Sequence, residues 1–396
     1  MLLVINNHDN IDFMSSRNNQ SLNTASKTSK KRVFVGLSGG VDSAVSAGLL
    51  IKAGYDVTGV FIKVWQPDWI ECNWKEERRD AMRVSAHLGI PFITLDLINE
   101  YKKDVIDYMI REYENGRTPN PDVMCNRYVK FGGFLNWAKE QGADFVATGH
   151  YARVEKVLKN GVEAGFDLFA GIDKNKDQSY FLWTLNQKDL SSILFPVGHL
   201  TKPEVRKLAT KFDLPNSTKK DSQGLCFIGK VDVKDFLSHY IKTEKGEVLN
   251  ENGEVIGYHP GALFFTKGER RGFVLTNKTP NDLPYFVINK DIKKNTITVS
   301  NKEVDGKLPG SEKQVKISNV NWVSGEVPSI DLDSANFPIF ARSRYRQDLS
   351  KVRIVSVNAY ASEAVLEFEN PQDSLTSGQS LVIYDGEKCL GGGVIE

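Results

Sequence analysis

Short apolar runs of strand length alternate with longer amphipathic runs throughout the first half of this chain. Strands are predicted at residues 32–37, 56–62, 91–97 and 144–148. Helical patterns lie between and around them, at residues 44–53, 75–88, 102–114 and 128–141. Strands that are separated by helices form parallel βαβ units with crossover connections. The alternation therefore predicts an α/β fold with a doubly wound parallel sheet.

The second half of the chain has a different pattern. After about Ile241, glycines and turn residues separate short β-rich runs, at residues 285–288, 296–300, 352–355, 364–368 and 380–384. Short strands at regular spacing predict a small central β-rich domain followed by a C-terminal β-barrel. We expect the α/β domain at residues 31–240, the central domain at 241–308 and the barrel at 309–396. Residues 1–30 are rich in Asn and Ser and lack a packing period, which predicts a disordered leader.

The charge balance limits how a nucleic acid could bind. With 51 Lys and Arg against 50 Asp and Glu, the net charge is +1, so binding would need local basic patches. Candidate patches are residues 27–32, 267–271 and 342–346, although a solvated surface is the alternative interpretation of each. In the last patch, Arg342, Arg344 and Arg346 alternate with other residues, which predicts three arginines on one face of a strand.

The cysteines and the apolar runs indicate the compartment. Four cysteines in 396 residues do not make a disulfide scaffold, and none forms a C-x-x-C pair that would indicate zinc. No apolar run approaches the roughly 18 residues that span a bilayer, so we expect no membrane association. A reducing compartment fits this composition, and we expect a cytoplasmic protein. Cys72 and Cys389 are expected to be buried and inert.

The other two cysteines lie in segments that indicate reactivity. Cys125 follows Pro119 and Pro121, which are expected to exclude a helix there, and it precedes a helix predicted from Tyr128. A position near a helix N-terminus lowers the pKa of a thiol, so we expect this effect at Cys125. Cys226 follows two lysines and a glycine within residues 219–226, which predicts a flexible, electropositive surrounding.

A glycine-containing loop, Ser38-Gly-Gly-Val-Asp-Ser43, separates the first predicted strand from the helix after it. Its glycines let the backbone approach an anion, and the helix N-terminus offers free N–H groups and a positive dipole end. Doubly wound sheets bind ligands at this edge. The loop is neither a Walker A loop nor a dinucleotide-binding loop. It resembles the PP-loop, SGGxDS, of ATP pyrophosphatases, which implies bound ATP and a role for Asp42 in holding Mg²⁺.

Further motifs make the chain resemble the tRNA-specific 2-thiouridylase family. The resemblance covers nearly everything from Lys31 to the C-terminus. The motifs are residues 36–43, 116–125, 147–153, 175–182, 220–229, 266–272, 344–347 and 389–396. Two features depart from the family pattern. Ile62 stands where the family often has Met, and residues 64–75, with Trp65, Trp69 and Trp74, replace an acidic run.

The resemblance implies roles for individual residues. Cys226 matches the cysteine that carries a persulfide, and Cys125 matches its partner nucleophile. The implied nucleotide contacts are Gly36, Leu37, Ser38, Gly39, Gly40, Val41, Asp42, Ser43, Ile62 and Gly149. The implied contacts to the tRNA or its target base are Asn120, Pro121, Asp122, His150, Lys176, Asp177, Gln178, Arg344, Tyr345 and Gln379. Without the resemblance, His150 would be interpreted as bonding the backbone and Asp177 as forming a turn.

The resemblance implies ATP-dependent 2-thiolation of the wobble uridine of a tRNA. Adenylation would turn the C2 oxygen into a leaving group, sulfur from a Cys226 persulfide would replace it, and Cys125 would resolve the persulfide as a disulfide. The implied sulfur donor is a cysteine desulfurase or a sulfur-relay protein.

Two alternatives stay open. An amide-forming PP-loop synthetase would need no cysteine pair, and an RNA-binding barrel protein would not need an intact PP-loop.

Overall fold

Three β-sheets organise the chain. A computed structural model describes residues 2–6, 10–14, 30–70, 74–221, 224, 226–229, 231–276, 283–302, 309, 311–328, 337–360, 362–373 and 375–396. Within these ranges, no helix combines the length and the apolar character needed to cross a membrane.

The first sheet is parallel and has five strands. From edge to edge they are Phe92–Asp96, Asp56–Lys63, Arg32–Gly36, Phe145–Ala147 and Ile193–Leu194. Val33 and Val35 are fully buried, as expected for a central strand covered on both faces. The strand order reverses at Arg32–Gly36, which has the second strand on one side and a much later strand on the other. The predicted doubly wound sheet is confirmed, with a ligand-binding switch point at the carboxyl end of its first strand.

Helical segments connect these strands and continue beyond them. The α-helical segments are Val41–Lys52, Trp74–Leu88, Ile98–Tyr101, Tyr108–Glu114, Pro121–Met124, Leu135–Glu140, Gln187–Leu190, Lys202–Lys211 and Val233–Ser238. Two stretches, Lys102–Asp107 and Cys125–Phe134, are π-helical, and Ser179–Phe181 and Ala262–Phe264 are 3₁₀ turns. The wider i→i+5 hydrogen bonding of π-helix is rare and is frequent at functional sites.

The helix that carries Cys125 starts earlier than predicted. It begins at Pro121, seven residues before Tyr128, and the Asn120 side chain accepts a hydrogen bond from Val123 N at 3.3 Å. Proline is well tolerated in the first turn of a helix, where its missing N–H would have no intrahelical partner. The expectation that Pro121 excludes a helix here is therefore wrong.

The second sheet forms the centre of the predicted β-rich domain. Its strands, in spatial order, are Val274–Leu275, Val255–His259, Gly246–Leu249, Thr296–Ser300 and Phe286–Asp291. The pairing of Gly246–Leu249 with Thr296–Ser300 is parallel, and the other pairings are antiparallel. Val248, Ile297 and Val299 provide buried side chains on its inner face.

The third sheet closes into the predicted C-terminal barrel. Its six closing strands, in spatial order, are Glu312–Trp322, Glu363–Gln372, Ser350–Asn358, Ile339–Arg342, Ser380–Asp385 and Lys388–Ile395. The last strand pairs again with Glu312–Trp322, which leaves neither of them as a free edge along that stretch. Leu366, Leu381 and Ile383 are completely buried in its core.

A hairpin from the first half of the chain extends this barrel sheet. Ala152–Lys159 pairs with Val162–Ala170, and Leu168 pairs in turn with Cys389 of the barrel. Fully buried Trp183 lies so close to Gly392 that a Cβ there would be 3.2 Å from the indole. The α/β part of the chain and the barrel therefore share one sheet, which the sequence pattern did not predict.

The tryptophan-rich segment that departs from the family pattern packs against a neighbouring helix. Trp69 stacks on His239 with ring centroids 3.8 Å apart, and it contacts Phe236 at 5.7 Å. Trp65 faces Tyr240 at 6.5 Å. These aromatic contacts fix the segment against the helix that contains Phe236, which gives its apolar composition a structural reason.

The N-terminal segment is more regular than the predicted leader. Leu2–Asn6 pairs with Asn10–Met14 as an antiparallel hairpin, and these strands join none of the other described strands. A two-stranded hairpin is marginally stable by itself. The remaining leader residues, the first three residues of the basic patch at 27–32, and Cys72 lie outside the described residues.

Candidate active site

The PP-loop is shaped by its two serines. Ser38 N donates to Ser43 Oγ at 3.3 Å, and Ser43 Oγ in turn donates to the Gly40 carbonyl at 3.1 Å. Gly39 adopts a left-handed φ of 75°, a conformation that glycine adopts without a steric penalty. The loop thereby turns the N-terminus of helix Val41–Lys52 toward a cavity at the edge of the parallel sheet.

Gly149, which follows the neighbouring strand, completes this cradle. A Cβ at Gly149 would lie 2.7 Å from Ser43 N and 3.0 Å from the Asp42 side chain. Only glycine leaves the first helical N–H groups accessible from this side. An open helix N-terminus backed by glycine suits a phosphate group, so the residues present fit the ATP implied by the motif.

One cavity of about 680 Å³ unites the predicted nucleotide and sulfur sites. All the predicted nucleotide contacts except Gly39 line it, namely Gly36, Leu37, Ser38, Gly40, Val41, Asp42, Ser43, Ile62 and Gly149. Cys226 lines the same cavity. This volume lies within the range of ordinary small-molecule pockets.

Charged side chains connect the PP-loop to the segment that carries Cys226. Lys202 Nζ lies 2.7 and 2.9 Å from the two carboxylate oxygens of Asp42, and Tyr151 OH donates to Asp42 at 2.9 Å. Lys202 also contacts Asp221 at 2.8 Å, and Lys176 contacts Asp221 at 2.6 Å. Burial would raise the pKa of Asp221, but the hydrogen bonds from Lys176 and Lys202 lower it.

The predicted Mg²⁺ site is not preformed. Asp42 is occupied by Lys202 and Tyr151, and it would have to exchange the lysine for a metal ion. Across the ranges described above, no three His, Cys, Asp or Glu residues are grouped to hold a metal. Mg²⁺ as a companion of ATP stays a prediction.

The two predicted catalytic cysteines are in contact. The Cys125 thiol donates to Cys226 Sγ at 3.3 Å, although 101 residues separate them in the sequence. Cys125 is completely buried behind Cys226, which is partly exposed. Because both thiols are free and adjacent, this pair could form a disulfide after a small movement.

The two thiols differ in acidity. The pKa of Cys125 is shifted in the direction opposite to the one expected from the sequence. Burial, followed by the neighbouring Cys226, raises the pKa of Cys125 well above its usual range. The hydrogen bond from Cys125 lowers the pKa of Cys226 against the effect of burial, and the charge of Lys130 adds to this. The prediction of a lowered pKa at Cys125 is wrong, because burial outweighs the helix start. Cys226 is therefore the more acidic thiol of the pair.

The Cys226 segment is held by hydrogen bonds to its backbone. Cys226 N donates to Asp122 Oδ1 at 3.1 Å, and Tyr101 OH donates to the Cys226 carbonyl at 2.7 Å. The next residue, Phe227, has a left-handed φ of 65°, which is unusual for a bulky side chain. Backbone strain of this kind is concentrated at functional sites.

His150 and Lys130 line the same cavity as Cys226 and contact each other. Lys130 Nζ is 3.3 Å from His150 Nε2, and His150 Nδ1 is 2.7 Å from Thr148 Oγ1. An ammonium group is only a donor, so Nε2 accepts and the ring proton belongs on Nδ1. Burial and then the Lys130 charge lower the pKa of His150 well below its usual range. The imidazole is therefore neutral.

The structure divides the predicted tRNA contacts into two groups. Five of them line the cavity: Asp122, His150, Lys176, Gln178 and Tyr345. Asn120, Pro121, Arg344 and Gln379 do not, and two of these shape the backbone. Asn120 caps its helix, and Gln379 donates to the carbonyls of Thr118 and Pro119 at 2.9 and 3.2 Å.

Asp177 has a structural environment. Its buried carboxylate accepts from Gly171 N, Ser179 N and Ser179 Oγ at 3.0–3.1 Å and forms an ion pair with buried Arg342. Its oxygens therefore face other parts of this chain, and the structure does not bring Asp177 to the cavity.

The predicted arginine face does not exist. The strand Ile339–Arg342 ends at Arg342, whose guanidinium is buried against Asp177. Arg344 donates to the Lys267 carbonyl at 2.7 Å, and Arg346 has a left-handed φ of 63° in a turn. Residue alternation predicts a common face only while the backbone stays extended, and here it does not.

Several residues of the site were missed because their contacts depend on the fold. Lys130 lies five residues after Cys125, and π-helical i→i+5 bonding stacks the two on one side of their helix. Tyr151 and Lys202 reach Asp42 from other elements. The local signal for Lys202 is its place at the start of a helix with a capping motif, which indicates the helix but not the contact.

Cys389 was predicted correctly, since it is fully buried and burial raises its pKa to about 12.

Comparisons with known proteins agree with this arrangement. Residues 31–230 match the family model of a tRNA methyl transferase HUP domain. Residues 234–301 match a tRNA methyl transferase PRC-barrel domain, and residues 312–395 match an aminomethyltransferase beta-barrel domain. A solved complex of a 4-thiouridine synthetase with RNA and bound ATP is similar over 53% of this chain and 50% of its own, with 18% identity and a TM-score of only 0.31.

Curated relatives match almost the whole chain. The tRNA-specific 2-thiouridylase MnmA of Lactiplantibacillus plantarum is 42% identical over 371 residues, which cover 93% of this chain and 96% of the relative. The MnmA of Christiangramia forsetii is 43% identical over 406 residues, covering 92% of this chain and all of the relative. With a PP-loop and Cys226 on one cavity, with Cys125 in contact with Cys226, and with identity of this extent, the chain belongs to the tRNA-specific 2-thiouridylase family.

Proposed function

We propose that this chain is a sulfurtransferase that replaces the C2 oxygen of a tRNA wobble uridine with sulfur in an ATP-dependent reaction. The observation that carries the proposal is the contact of 3.3 Å between Cys125 and Cys226 at the cavity that the PP-loop also lines. The names of the relatives, which are tRNA-specific 2-thiouridylases, support the choice of substrate. Bound ATP supplies the adenylyl group that makes a carbonyl oxygen a leaving group.

The cysteines supply the sulfur chemistry. Cys226 first carries a persulfide, and its terminal sulfur attacks C2 of the uridine as the activated oxygen leaves with AMP. The Cys125 sulfur attacks Cys226 Sγ, and the proton that its thiol releases balances the proton that N3 of the uridine takes up as the thiocarbonyl forms. The electron pair of the S–S bond then passes to the sulfur on C2, which remains as the thiocarbonyl. The products are 2-thiouridine and a Cys125–Cys226 disulfide, which an external thiol reduces before the next cycle.

Other residues of the chain would position the reactants. The Ser38–Ser43 loop would hold the phosphates at the helix N-terminus, and Asp122 would hold the Cys226 backbone beside the target base. Tyr345 and Phe181, with rings 4.6 Å apart at the cavity wall, offer a surface on which an unstacked base could lie. We propose a cysteine desulfurase or sulfur-relay protein as the donor and the cytoplasm as the compartment, where thiols stay reduced.

The alternatives lack a comparable observation. An amide-forming PP-loop synthetase has no use for two thiols in contact. A binding protein without chemistry has no use for a lowered pKa at Cys226 beside a PP-loop.

The cysteine roles can be separated experimentally. The protein is incubated with a cysteine desulfurase and labelled cysteine, and the extra sulfur is located by peptide mass spectrometry. Cys226→Ser should not take up the label, whereas Cys125→Ser should take it up at Cys226 but form no 2-thiouridine. Cys389→Ser is the matched control and should retain both steps. If neither Cys125→Ser nor Cys226→Ser reduced 2-thiouridine in nucleoside mass spectrometry, the proposed route would be wrong.

A further inference from the structure

Lys130 is a cation placed among groups that the sulfur chemistry uses. It lies on the π-helical segment that begins at Cys125, and it lines the cavity together with Cys226 and His150. Its ammonium group lies 5.7 Å from the centroid of the Phe227 ring, next to the cysteine in sequence. Its charge is also among the causes that lower the pKa of Cys226. The charge is therefore directed at the thiol that lines the cavity.

The environment of Lys130 does not supply an ordinary ion pair. No carboxylate of the described part of the chain lies within 4.0 Å of its Nζ. Asp122 contributes a more distant negative charge, but one of its oxygens accepts from Cys226 N. His150 offers only a neutral nitrogen. A partly buried ammonium group needs a compensating anion, and Cys226 in its thiolate form would provide one.

Four titratable groups interact with Cys226. They are Cys125 and Lys130 from the π-helical segment, Asp122 from the helical turn before it, and Tyr101 from the helix opposite. Among these four, Lys130 alone is positively charged. Asp122 opposes a thiolate at Cys226, whereas Lys130 and the Cys125 hydrogen bond favour it.

We propose that Lys130 is the positioning residue that keeps Cys226 as a thiolate and orients it to accept sulfur. The thiolate attacks the terminal sulfur of a donor persulfide, the donor S–S bond breaks, and its electron pair leaves on the donor thiolate. Cys226 then carries the persulfide, whose anionic terminal sulfur the same ammonium group stabilises. Burial alone would lower the pKa of Lys130, but the nearby charges of Cys226, Cys125 and Asp122 outweigh it and keep the lysine charged.

The test measures thiol ionisation directly. The full-length protein is alkylated with iodoacetamide between pH 5 and 10, and peptide mass spectrometry reads Cys226 and Cys125 separately. Lys130→Gln should raise the alkylation midpoint of Cys226 by about one to three pH units, the usual effect of removing an adjacent opposite charge. At pH 7 this corresponds to alkylation slowed about tenfold or more. Lys130→Arg, which keeps the charge, should retain most of the wild-type behaviour.

The matched control is Arg127→Gln, which removes a positive charge from an exposed position of the same helical segment. It should leave the midpoint of Cys226 unchanged. If Lys130→Gln does not fold, Lys130→Met carries the test, because it keeps the aliphatic stem. The proposal would be overturned if Cys226 had the same alkylation midpoint in Lys130→Gln, or in Lys130→Met, as in Arg127→Gln. The proposal deepens the proposed function, but the assay needs neither tRNA nor ATP, so a negative result would leave the thiolation proposal untouched.

Discussion

At the scale of single residues, the fold keeps His150 in its neutral form. Its imidazole is buried, accepts from Lys130 and donates to Thr148, so a second ring proton would have no acceptor and would face a cation. The pKa of His150 is therefore lower in the folded protein than the ordinary value of about 6.5 in the unfolded chain. Below about pH 6.5, the unfolded chain therefore binds a proton at this histidine more readily than the folded protein does.

The stability that neutral His150 contributes should be fully present above pH 6.5. It should be lost as the pH falls from there toward the lowered folded-state pKa, with a slope of up to about 1.4 kcal/mol per pH unit. Urea unfolding of wild type and His150→Asn between pH 7.5 and 5 measures this, and the variant should show the shallower dependence. His87→Gln, which removes an exposed imidazole, is the control. Equal slopes for wild type and His150→Asn would contradict the prediction.

The positions of site residues could be predicted from the sequence where the residues form a local motif. Ser38, Gly40 and Asp42 lie at the cavity because one loop contains them all. Lys130 and Lys202 could not be predicted in this way, because each acts on a residue that another part of the chain brings to it. The expected lowering of the Cys125 pKa was wrong, since the burial of Cys125 depends on packing that its neighbours in sequence do not indicate.

At the scale of elements, the helix Lys202–Lys211 shows how a local signal places a functional side chain. The Glu204 carboxylate accepts from Thr201 N and from Thr201 Oγ1, both at 2.8 Å, as in a capping box. The cap fixes the first turn of the helix, and Lys202 in that turn reaches Asp42 of the PP-loop. A standard helix start thus supports the contact between the helix and the loop.

Glu204→Ala should lower the free energy of unfolding by about 1 kcal/mol, the usual cost of losing a capping interaction. Urea titration followed by circular dichroism measures the change. Glu204→Gln is the matched variant, because glutamine at this position also serves a capping box, and it should retain most of the stability. If the glutamine and alanine variants were equally destabilised, the side-chain bond to the Thr201 backbone would not be what stabilises this helix start.

Element types could be predicted more reliably than element ends. Four strands of the five-stranded parallel sheet follow from apolar periodicity, but the helix start at Pro121 depends on a cap from Asn120. The strand Ile339–Arg342 ends at an arginine that forms a buried pair with Asp177, which lies 165 residues away in sequence. The hairpin of Ala152–Lys159 and Val162–Ala170 was missed because its sheet partner is near the C-terminus.

At the scale of the whole molecule, the barrel is structurally joined to the α/β part. The hairpin strand Val162–Ala170 pairs with a barrel strand, and Tyr180 OH donates to the carbonyls of Ser343 and Ser380 at 3.0 Å. The sequence indicated the order of three parts, and the family models match the same order. It could not indicate that they share a sheet, because the pairing joins residues more than 200 positions apart.

A chain that ends at Gly310 should therefore be less stable than the intact protein in the part that remains. It would leave Asp177 without Arg342, uncover Trp183 and expose an edge of the hairpin. Loss of one partner from a buried ion pair costs about 3–5 kcal/mol, which corresponds to a fall in Tm on the order of 10 °C. Differential scanning fluorimetry with and without ATP measures this.

A chain that begins at Lys30 is the control, because the N-terminal hairpin pairs with none of the other described strands, and its Tm should not change. If the truncation at Gly310 unfolded at the temperature of the intact protein, the shared sheet would contribute nothing to the α/β part, and the barrel would be an independent module.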